Sequence, residues 1–396
     1  MSDVDVVAPA ETIANKSRLP KKAPRRRGCL PTLIRLALSL FALALIVPLL
    51  RAGVECRIRG GGVAPELPPE PAPTAIETIK ARLPGYARAE EQTFLTYPEW
   101  YIVYSADEYA AFIAKNRPSQ FPYFAAISQY WNGYYDVCAI TRGRYAYNDG
   151  YHLMLDVIGV SFTAENLVKG AYENTIGRLT ELISTADLTE EDAYARMVAR
   201  DYGALTHHVP WFEFPFVERL QGLWQLPATG PNLVRKWERR AVLSAEYGVK
   251  ALYGKAIKTA TEAAYGPEDL RLQAWVKGVS PANVAKLPDA KVIHEFDGSL
   301  ILSIPRYDLF TQAALDLAHS GAQFIELAGN DDVMLVAIAP RDWSYDLSAG
   351  SVLFETPVLI DPQRKRVAIK VPVKALHEVL LALDKREYRI ERIYDY

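Results

Sequence analysis

Five residues in the middle of the chain have side chains that could bind a metal ion. His152 and Asp156 are four residues apart, so a helix would place both on one face. Asp201 and His208 are seven residues apart, again on one helical face, and His207 is adjacent. Imidazole and carboxylate groups on neighbouring helices can form a metal site or an acid–base pair. The alternative is that these residues form hydrogen bonds in the core, at helix caps or on the surface.

A second candidate site is a loop that combines two prolines with large aromatic side chains, residues 207–217 (HHVPWFEFPFV). The aromatic residues could insert into the headgroup region of a membrane or line an apolar ligand cleft. With one tryptophan further along the chain, they are Trp211, Phe212, Phe214, Phe216 and Trp224. The alternative is a loop that packs inward and closes one end of a helical bundle.

A third candidate is a long basic helix at residues 232–265. Its seven lysines and arginines, Arg239 and Arg240 among them, outnumber its three glutamates. Near a membrane, such a helix would favour anionic headgroups or an acidic partner. The alternative is a charged helix face that is simply solvated.

These candidates follow one long apolar segment, residues 30–50 (LPTLIRLALSLFALALIVPLL). At about 1.5 Å per residue, its length matches a hydrocarbon core roughly 30 Å thick. Arg35 lies near one end, where its guanidinium can reach the headgroups. The alternative is a cleaved signal peptide, but no small-x-small cleavage site directly follows Leu50. The segment therefore predicts a single transmembrane anchor at 30–50.

The basic residues around this segment predict its orientation. Seven lysines and arginines precede it in a polar tail, residues 1–29, and Arg51, Arg57 and Arg59 follow it. The positive-inside rule then places the N-terminus in the cytoplasm and the body outside. The body has no Asn-x-Ser/Thr acceptor, which fits a bacterial envelope protein. We therefore predict a single-pass protein of the inner (cytoplasmic) membrane, whose tail contacts membrane lipid and not nucleic acid.

The chain contains three cysteines, Cys29, Cys56 and Cys138. Three are too few for a disulfide framework. Cys56 and Cys138 could pair in an oxidising compartment, whereas an unpaired Cys138 would be a buried apolar residue of a helix. The sequence leaves both alternatives open.

Apolar residues recur at helical spacing between residues 76 and 285. The pattern predicts helices at about 122–142, 152–184, 189–205 and 232–265, with a break near 159–163 in the second. Residues 51–75, which precede this region, are rich in glycine and proline and are predicted to form a linker that is flexible at residues 60–62 and extended over the prolines at 65–73. An all-helical domain at 76–285 is therefore predicted beyond a linker.

The periodicity changes near residue 290. Strands are predicted at 299–304, 322–328, 332–339, 351–360, 366–371 and 387–394, with helices at 306–319 and 373–384. A strand, a proline and a helix recur around Pro305 and Pro372. A strand–helix–strand unit used twice is typical of a ferredoxin-like sandwich. The predicted fold class is α+β: one transmembrane helix, an all-α domain and a ferredoxin-like α+β domain at 290–396.

The net charge of −2 gives no sign of a polyanionic partner. The sequence has no phosphate-binding glycine loop, no Gly-x-Ser-x-Gly elbow and no Cys-x-x-Cys pair, so it identifies no cofactor and no catalytic residue. The leading hypothesis is a membrane-anchored envelope protein whose extracytoplasmic helical body binds a protein partner or an apolar lipid ligand at the membrane surface. The alternative is a metal-assisted hydrolase that acts on an envelope lipid or a cell-wall component.

Overall fold

The computed structural model describes residues 29–58, 90–142, 145, 147–184, 188–261, 271–296 and 298–394. Nearly all of the basic tail predicted at 1–29, and residues 59–75 of the predicted linker, lie outside this part of the chain. The chain divides into two compact units, Met1–Leu43 and Ala44–Tyr396. The predicted helical and α+β domains therefore belong to one unit, which also contains the last residues of the apolar segment.

The apolar segment forms the first helix, α1 (Cys29–Ala52), which continues into a π-helical turn at Gly53–Ile58. Among the described residues, this is the one helix that is long and apolar enough to cross a membrane. Residues 51–58 were predicted to be part of the linker, but they continue the helix.

The helical part of the body follows α1. Its helices are α2 (Glu90–Lys115), α3 (Tyr123–Thr141), α4 (Asp149–Tyr172), α5 (Arg178–Ile183), α6 (Glu190–Thr206), α7 (Phe216–Trp224) and α8 (Leu233–Thr261). A π-helical segment, Glu173–Gly177, joins α4 to α5. The predicted helices at 122–142, 189–205 and 232–265 correspond to α3, α6 and α8.

The predicted break near 159–163 is wrong, because α4 continues without interruption to Tyr172. Gly159, one of the residues that suggested the break, serves helix packing. A Cβ atom at this position would lie 2.5 Å from the ring of Tyr130 and 2.9 Å from that of Trp131. The missing side chain lets α3 approach α4 closely, so this glycine does not end a helix.

Two four-stranded antiparallel sheets form the C-terminal part. The first half contains β1 (Arg271–Lys277), α9 (Pro281–Val284), β2 (Lys291–Phe296), β3 (Ser299–Pro305), α10 (Asp308–His319) and β4 (Gln323–Leu327). The second contains β5 (Asp332–Pro340), β6 (Ser351–Pro357), β7 (Arg364–Pro372), α11 (Leu376–Asp384) and β8 (Arg389–Tyr394). The strand orders, β2-β3-β1-β4 and β6-β7-β5-β8, have the same connectivity.

The predicted repeat of a strand–helix–strand unit is present, but each copy carries two more strands and forms its own sheet. Where one ferredoxin-like α+β domain was predicted at 290–396, the structure therefore has two four-stranded sheets. The predicted boundary of that domain is also too late, because β1 lies at Arg271–Lys277 and pairs with β3 and β4. This strand was assigned to the helical region because it is short, with only Leu272, Ala274 and Val276 buried on one face.

Strand β5 connects the sheets to the helices. Val333 and Leu335 join the core that the two sheets share with α10 and α11, whereas Met334 and Val336 pack into an aromatic core with α2 and α3. Both faces of this strand are therefore covered, which explains its continuous apolar sequence. The helical layer thus packs directly on the second sheet.

Candidate functional site

The end of α1 that belongs to the body is packed against α3. Tyr135 donates a hydrogen bond to the carbonyl oxygen of Pro48, at 2.9 Å. The guanidinium of Arg51 lies 4.2 Å from the centre of the Tyr135 ring, within range of a cation–π interaction. Ala52 is fully buried in the same aromatic core. Residues 44–58 are therefore part of the body.

A disulfide bond between Cys56 and Cys138 closes this contact covalently. Cys56 lies in the π-helical turn and Cys138 in the last turns of α3, and both are buried. An ion pair between Arg142 and Glu55, 3.0 Å apart, flanks the bond. Of the two alternatives that the sequence leaves open for these cysteines, the structure contains the pairing.

His152 lies beside this disulfide. Asn148 caps α4 by accepting a hydrogen bond from the backbone of Tyr151, which places His152 in the first turn facing α3. One ring nitrogen of His152 and the two sulfur atoms all lie within 4.8 Å of one another. The imidazole stacks on the Tyr147 ring, with 4.2 Å between centres and 4° between planes. Three separate segments thus converge on one buried cluster.

Two polar residues continue the cluster beyond His152. The hydroxyl of Tyr134 is 2.9 Å from Nδ1 of His152 and also hydrogen-bonds the carboxylate of Asp156. Burial raises the pKa of Asp156 to about 6, against the opposing hydrogen bond from Tyr134. Burial lowers the pKa of His152 to about 4, so the imidazole is neutral at neutral pH. Loss of solvent thus shifts the pKa values of both groups away from their ordinary values.

The direction of the Tyr134–His152 hydrogen bond depends on the tautomer of the histidine. If Tyr134 donates to an ionised Asp156, which can only accept, its oxygen accepts from the Nδ1–H of His152 and Nε2 keeps a free lone pair. We refer to Cys56, Cys138 and His152, with Tyr134 and Asp156 behind them, as the thiol–imidazole cluster.

The structure does not bring together the five residues of the metal site predicted from spacing. His152 and Asp156 belong to the thiol–imidazole cluster, whereas Asp201 pairs with Arg200 and Arg219, each 3.1 Å away, and His208 is exposed. Among the described residues, the one group of three or more His, Cys, Asp or Glu placed to hold a metal ion is Cys56, Cys138 and His152. The two cysteines were missed as ligands because nothing local connects residues this far apart.

His207 has a different role. It ends α6, and its ring lies between two carboxylates, with Nδ1 2.5 Å from Asp308 of α10 and Nε2 bonded to Asp107 of α2. Gly203 permits the approach of α6 to α2, because a Cβ atom there would lie 2.5 Å from Asp107. Hydrogen bonds to Asp107 and Asp308 raise the pKa of His207 to about 10. A charged imidazole therefore bridges the helical layer and the first β–α unit.

The His207 bridge predicts a pH-dependent contribution to stability. Histidine has an ordinary pKa of about 6.5, and a higher value in the folded protein means that protonation favours the fold. The contribution is complete below pH ~6.5 and is lost as the pH rises through about 10. We expect the difference in melting temperature between wild type and His207→Gln to shrink over this interval.

The measurement is the thermal unfolding of full-length protein in detergent, followed by circular dichroism. Arg392, 3.8 Å from Asp308, and Tyr104, whose ring edge meets the imidazole, also face this site and remain in both proteins. The matched control is His208→Gln, because His208 is exposed. A wild-type advantage that stays constant from low to high pH would contradict the assigned bridge.

The aromatic loop is packed inward, as its alternative interpretation stated. Phe214 and Phe216 are buried among Val198, Leu223 and Tyr247. Trp211 and Phe212 are half-buried, and the Trp211 ring stacks on Tyr253 of α8 at 5.4 Å. Trp224 is the one predicted interface aromatic that is mostly exposed, at 54 %. These side chains therefore do not form a continuous exposed aromatic surface.

Arg239 and Arg240 are buried as well, so the prediction that they meet headgroups is wrong. Arg239 lies 2.7 Å from Glu173 and Arg240 lies 2.5 Å from Glu191. Desolvating a charge costs several kcal/mol unless a partner compensates it, and these carboxylates from the α4–α6 segment supply the partners. The basic face of α8 therefore holds the helical layer together.

The described part of the surface contains an extended apolar face on α4. Leu153, Val157 and Val168 lie along it, and Leu153 and Val168 are 65 % and 60 % exposed. The charged residues of α4 lie on other sides: Glu165 and Lys169 pair with α8, and Asp156 faces Tyr134. Beyond the π-helical segment, α5 adds the exposed leucines Leu179 and Leu182.

This apolar face begins next to the docked end of α1. Arg57 of the π-helical turn forms an exposed ion pair with Asp149, 3.6 Å apart, at the start of α4. Leu153 lies one helical turn further along.

No protein-family model, curated protein or solved structure matches the chain. A function must therefore be inferred from the geometry of its own residues.

Proposed function

We propose that the chain is a single-pass, membrane-anchored envelope protein whose extracytoplasmic body binds lipid at the membrane surface. The observation that carries this proposal is the uncharged, exposed face of α4, which starts where the end of α1 is clamped to the body. Large exposed apolar patches are uncommon on monomeric proteins and mark interaction sites. Because α1 is the proposed membrane anchor, a bilayer is the nearest apolar partner for the α4 face beside it.

Two features support the proposed orientation. Disulfide bonds form and persist in oxidising compartments, and Cys56–Cys138 lies just beyond the apolar segment on the side of the body. The distribution of basic residues also favours a cytoplasmic N-terminus. Both support an inner-membrane protein with its body outside the cytoplasm.

The metal-assisted hydrolase receives less support. It required a histidine–carboxylate site built from His152, Asp156, Asp201, His207 and His208, and of these only His152 and Asp156 lie together. A protein partner on the α4 face is the remaining competitor to lipid. An experiment that identifies the contacting molecule distinguishes the two.

Photochemical labelling from lipid tests the proposal. Full-length protein in nanodiscs that contain a photoactivatable phospholipid should incorporate label in α1 and also in the α4 peptide around Val157 and Val168. The double variant Val157→Glu, Val168→Glu should lose the α4 label and keep the α1 label, because charged side chains resist burial in the apolar boundary. Mass spectrometry of proteolytic peptides gives both readouts.

The matched control is Ile293→Glu, which places a charge at an exposed apolar position of β2. It should leave the α4 label unchanged. Label confined to α1 in the wild-type protein would reject lipid as the ligand. Protection of the α4 peptide by a co-purifying protein would instead indicate a protein partner.

A further inference from the structure

We propose that Cys56, Cys138 and His152 bind a thiophilic metal ion, Zn²⁺ or Cu⁺, when the disulfide bond between the two cysteines is reduced. The same three residues would then hold the end of α1 on the body in two chemical states. In one state the connection is a covalent bond, and in the other it is a shared ion.

The geometry carries this proposal. The two sulfur atoms and a ring nitrogen of His152 lie within 4.8 Å of one another. Zinc binds thiolates at about 2.3 Å and imidazole at about 2.0–2.1 Å, so its ligand atoms are separated by roughly 3.5–4 Å. Reduction only has to let the two sulfurs move apart, because the histidine is already in place.

The ligand chemistry fits a soft ion. Thiolates select Zn²⁺ and Cu⁺ over harder cations, and imidazole suits both. Two thiolates and one imidazole complete a three-coordinate Cu⁺ site, whereas Zn²⁺ would take a water as its fourth ligand. Burial of all three side chains excludes competing solvent.

The residues behind His152 form the support that metal-bound histidines usually have. A ligating imidazole typically donates its other N–H to a polar group that fixes the ring and its tautomer. Here the Tyr134 hydroxyl lies 2.9 Å from Nδ1 of His152, where it can accept Nδ1–H and leave Nε2 to bind, and Asp156 hydrogen-bonds Tyr134 in turn. The stacked ring of Tyr147 restrains the imidazole further. A disulfide needs none of these contacts.

The chemistry balances with an external dithiol as reductant. The dithiol gives two electrons and two protons to the Cys56–Cys138 bond and becomes a disulfide itself. The two thiols that form then lose their protons to solvent as the ion binds, since the thiolate is the metal ligand. In the reverse direction an external disulfide accepts the two electrons, takes up two protons and becomes a dithiol, which restores the Cys56–Cys138 bond and releases the ion.

The test uses full-length protein in nanodiscs with Cys29→Ser as the background, so that Cys56 and Cys138 are the only thiols. After reduction with a phosphine, the protein is titrated with Co²⁺ and Cd²⁺ under argon. We expect one ion per chain, a Co²⁺ spectrum typical of tetrahedral thiolate coordination, and displacement by Zn²⁺. A separate competition for Cu⁺ against a chromogenic chelator determines which ion binds more tightly.

Two variants separate ligation from folding. Tyr134→Phe should weaken the metal about 10–100-fold, as loss of a supporting group does, and His152→Ala should weaken it by more than about 100-fold. The melting temperature of each oxidised variant reports folding independently of metal. His208→Ala, at an exposed position, should change nothing.

A reduced protein that binds no ion stoichiometrically would overturn the proposal and leave a purely structural disulfide. Metal binding that is equal in wild type and folded His152→Ala would also overturn it, because the histidine would then be no ligand. Neither result bears on lipid binding by α4, so the two proposals fail separately.

Discussion

Replacing Arg239 with alanine is expected to destabilise the protein by about 3–5 kcal/mol, the usual cost of removing one partner of a buried ion pair. Arg239 and Glu173 are both 2 % exposed, and 2.7 Å separates their charged groups. Asp192 lies 3.4 Å from the same guanidinium. Without Arg239, the charges of these two carboxylates would remain buried with less compensation from opposite charge.

Denaturant unfolding of full-length protein in detergent measures this effect. The matched control is Arg200→Ala, since Arg200 pairs with Asp201 at 3.1 Å but its own side chain is 75 % exposed. That change should cost about 0–1 kcal/mol. The double variant Glu173→Gln, Arg239→Met should recover part of the stability that Arg239→Ala loses. Equal stabilities for Arg239→Ala and Arg200→Ala would show that the buried pair is not compensating a desolvated charge.

Glu246 belongs to the same group of buried ion pairs, which strongly favours its ionised form. Burial alone would raise the pKa of Glu246, but Lys169 and Lys250 outweigh it and lower the value to about 2. Lys169 lies 3.1 Å from this carboxylate. Such a depressed pKa means that the charged form stabilises the fold, so this contribution is lost as the pH falls from about 4.5 to about 2.

The double variant Cys56→Ala, Cys138→Ala is expected to lose about 4–5 kcal/mol, because a disulfide restricts the unfolded chain more when it closes a longer loop. The two cysteines are 82 residues apart. Unfolding should be measured with a chelator present, so that no metal replaces the bond. Wild type treated with a phosphine should approach the variant.

Cys29→Ser is the control for thiol removal and should keep wild-type stability. A double variant within about 1 kcal/mol of wild type would mean that the contacts of Tyr135 and Arg51 hold the end of α1 without covalent help. The same variant also tests how firmly the end of α1 is attached to the body. Protease cleavage in residues 53–58 should accelerate once the disulfide is gone, since this turn is then held by non-covalent side-chain contacts alone.

The elements that sequence predicted best are those with long, regular periodicity. Helices α3, α6 and α8 follow such patterns. Thr189 caps α6, as expected for a threonine that precedes an acidic first turn. The missed strand β1 had only seven residues in which to show alternation. The duplicated connectivity was visible only as two prolines before two helices, because the pairing of β1 with β3 joins residues that no short pattern relates.

Charge was interpreted least well from sequence. The basic side of α8 resembles a solvated or membrane-facing surface when residues are counted along one helix. Arg239 and Arg240 are buried because Glu173 and Glu191 come from other helices, and counting along α8 could not reveal them. The apolar face of α4 was missed for the related reason that only packing shows which of several apolar stripes stays uncovered.

The sequence by itself determined the long apolar segment, most of the helices and the strand–helix–strand repeat, because hydrophobic periodicity acts over a few residues. The tertiary structure alone decided which polar groups meet. Cys56, Cys138 and His152 come together through the packing of α3 against α4 and of the π-helical turn against α3. His207 reaches Asp107 and Asp308 in the same way, across about 100 residues in each direction. Such contacts depend on the relative position of whole elements, which local periodicity does not encode.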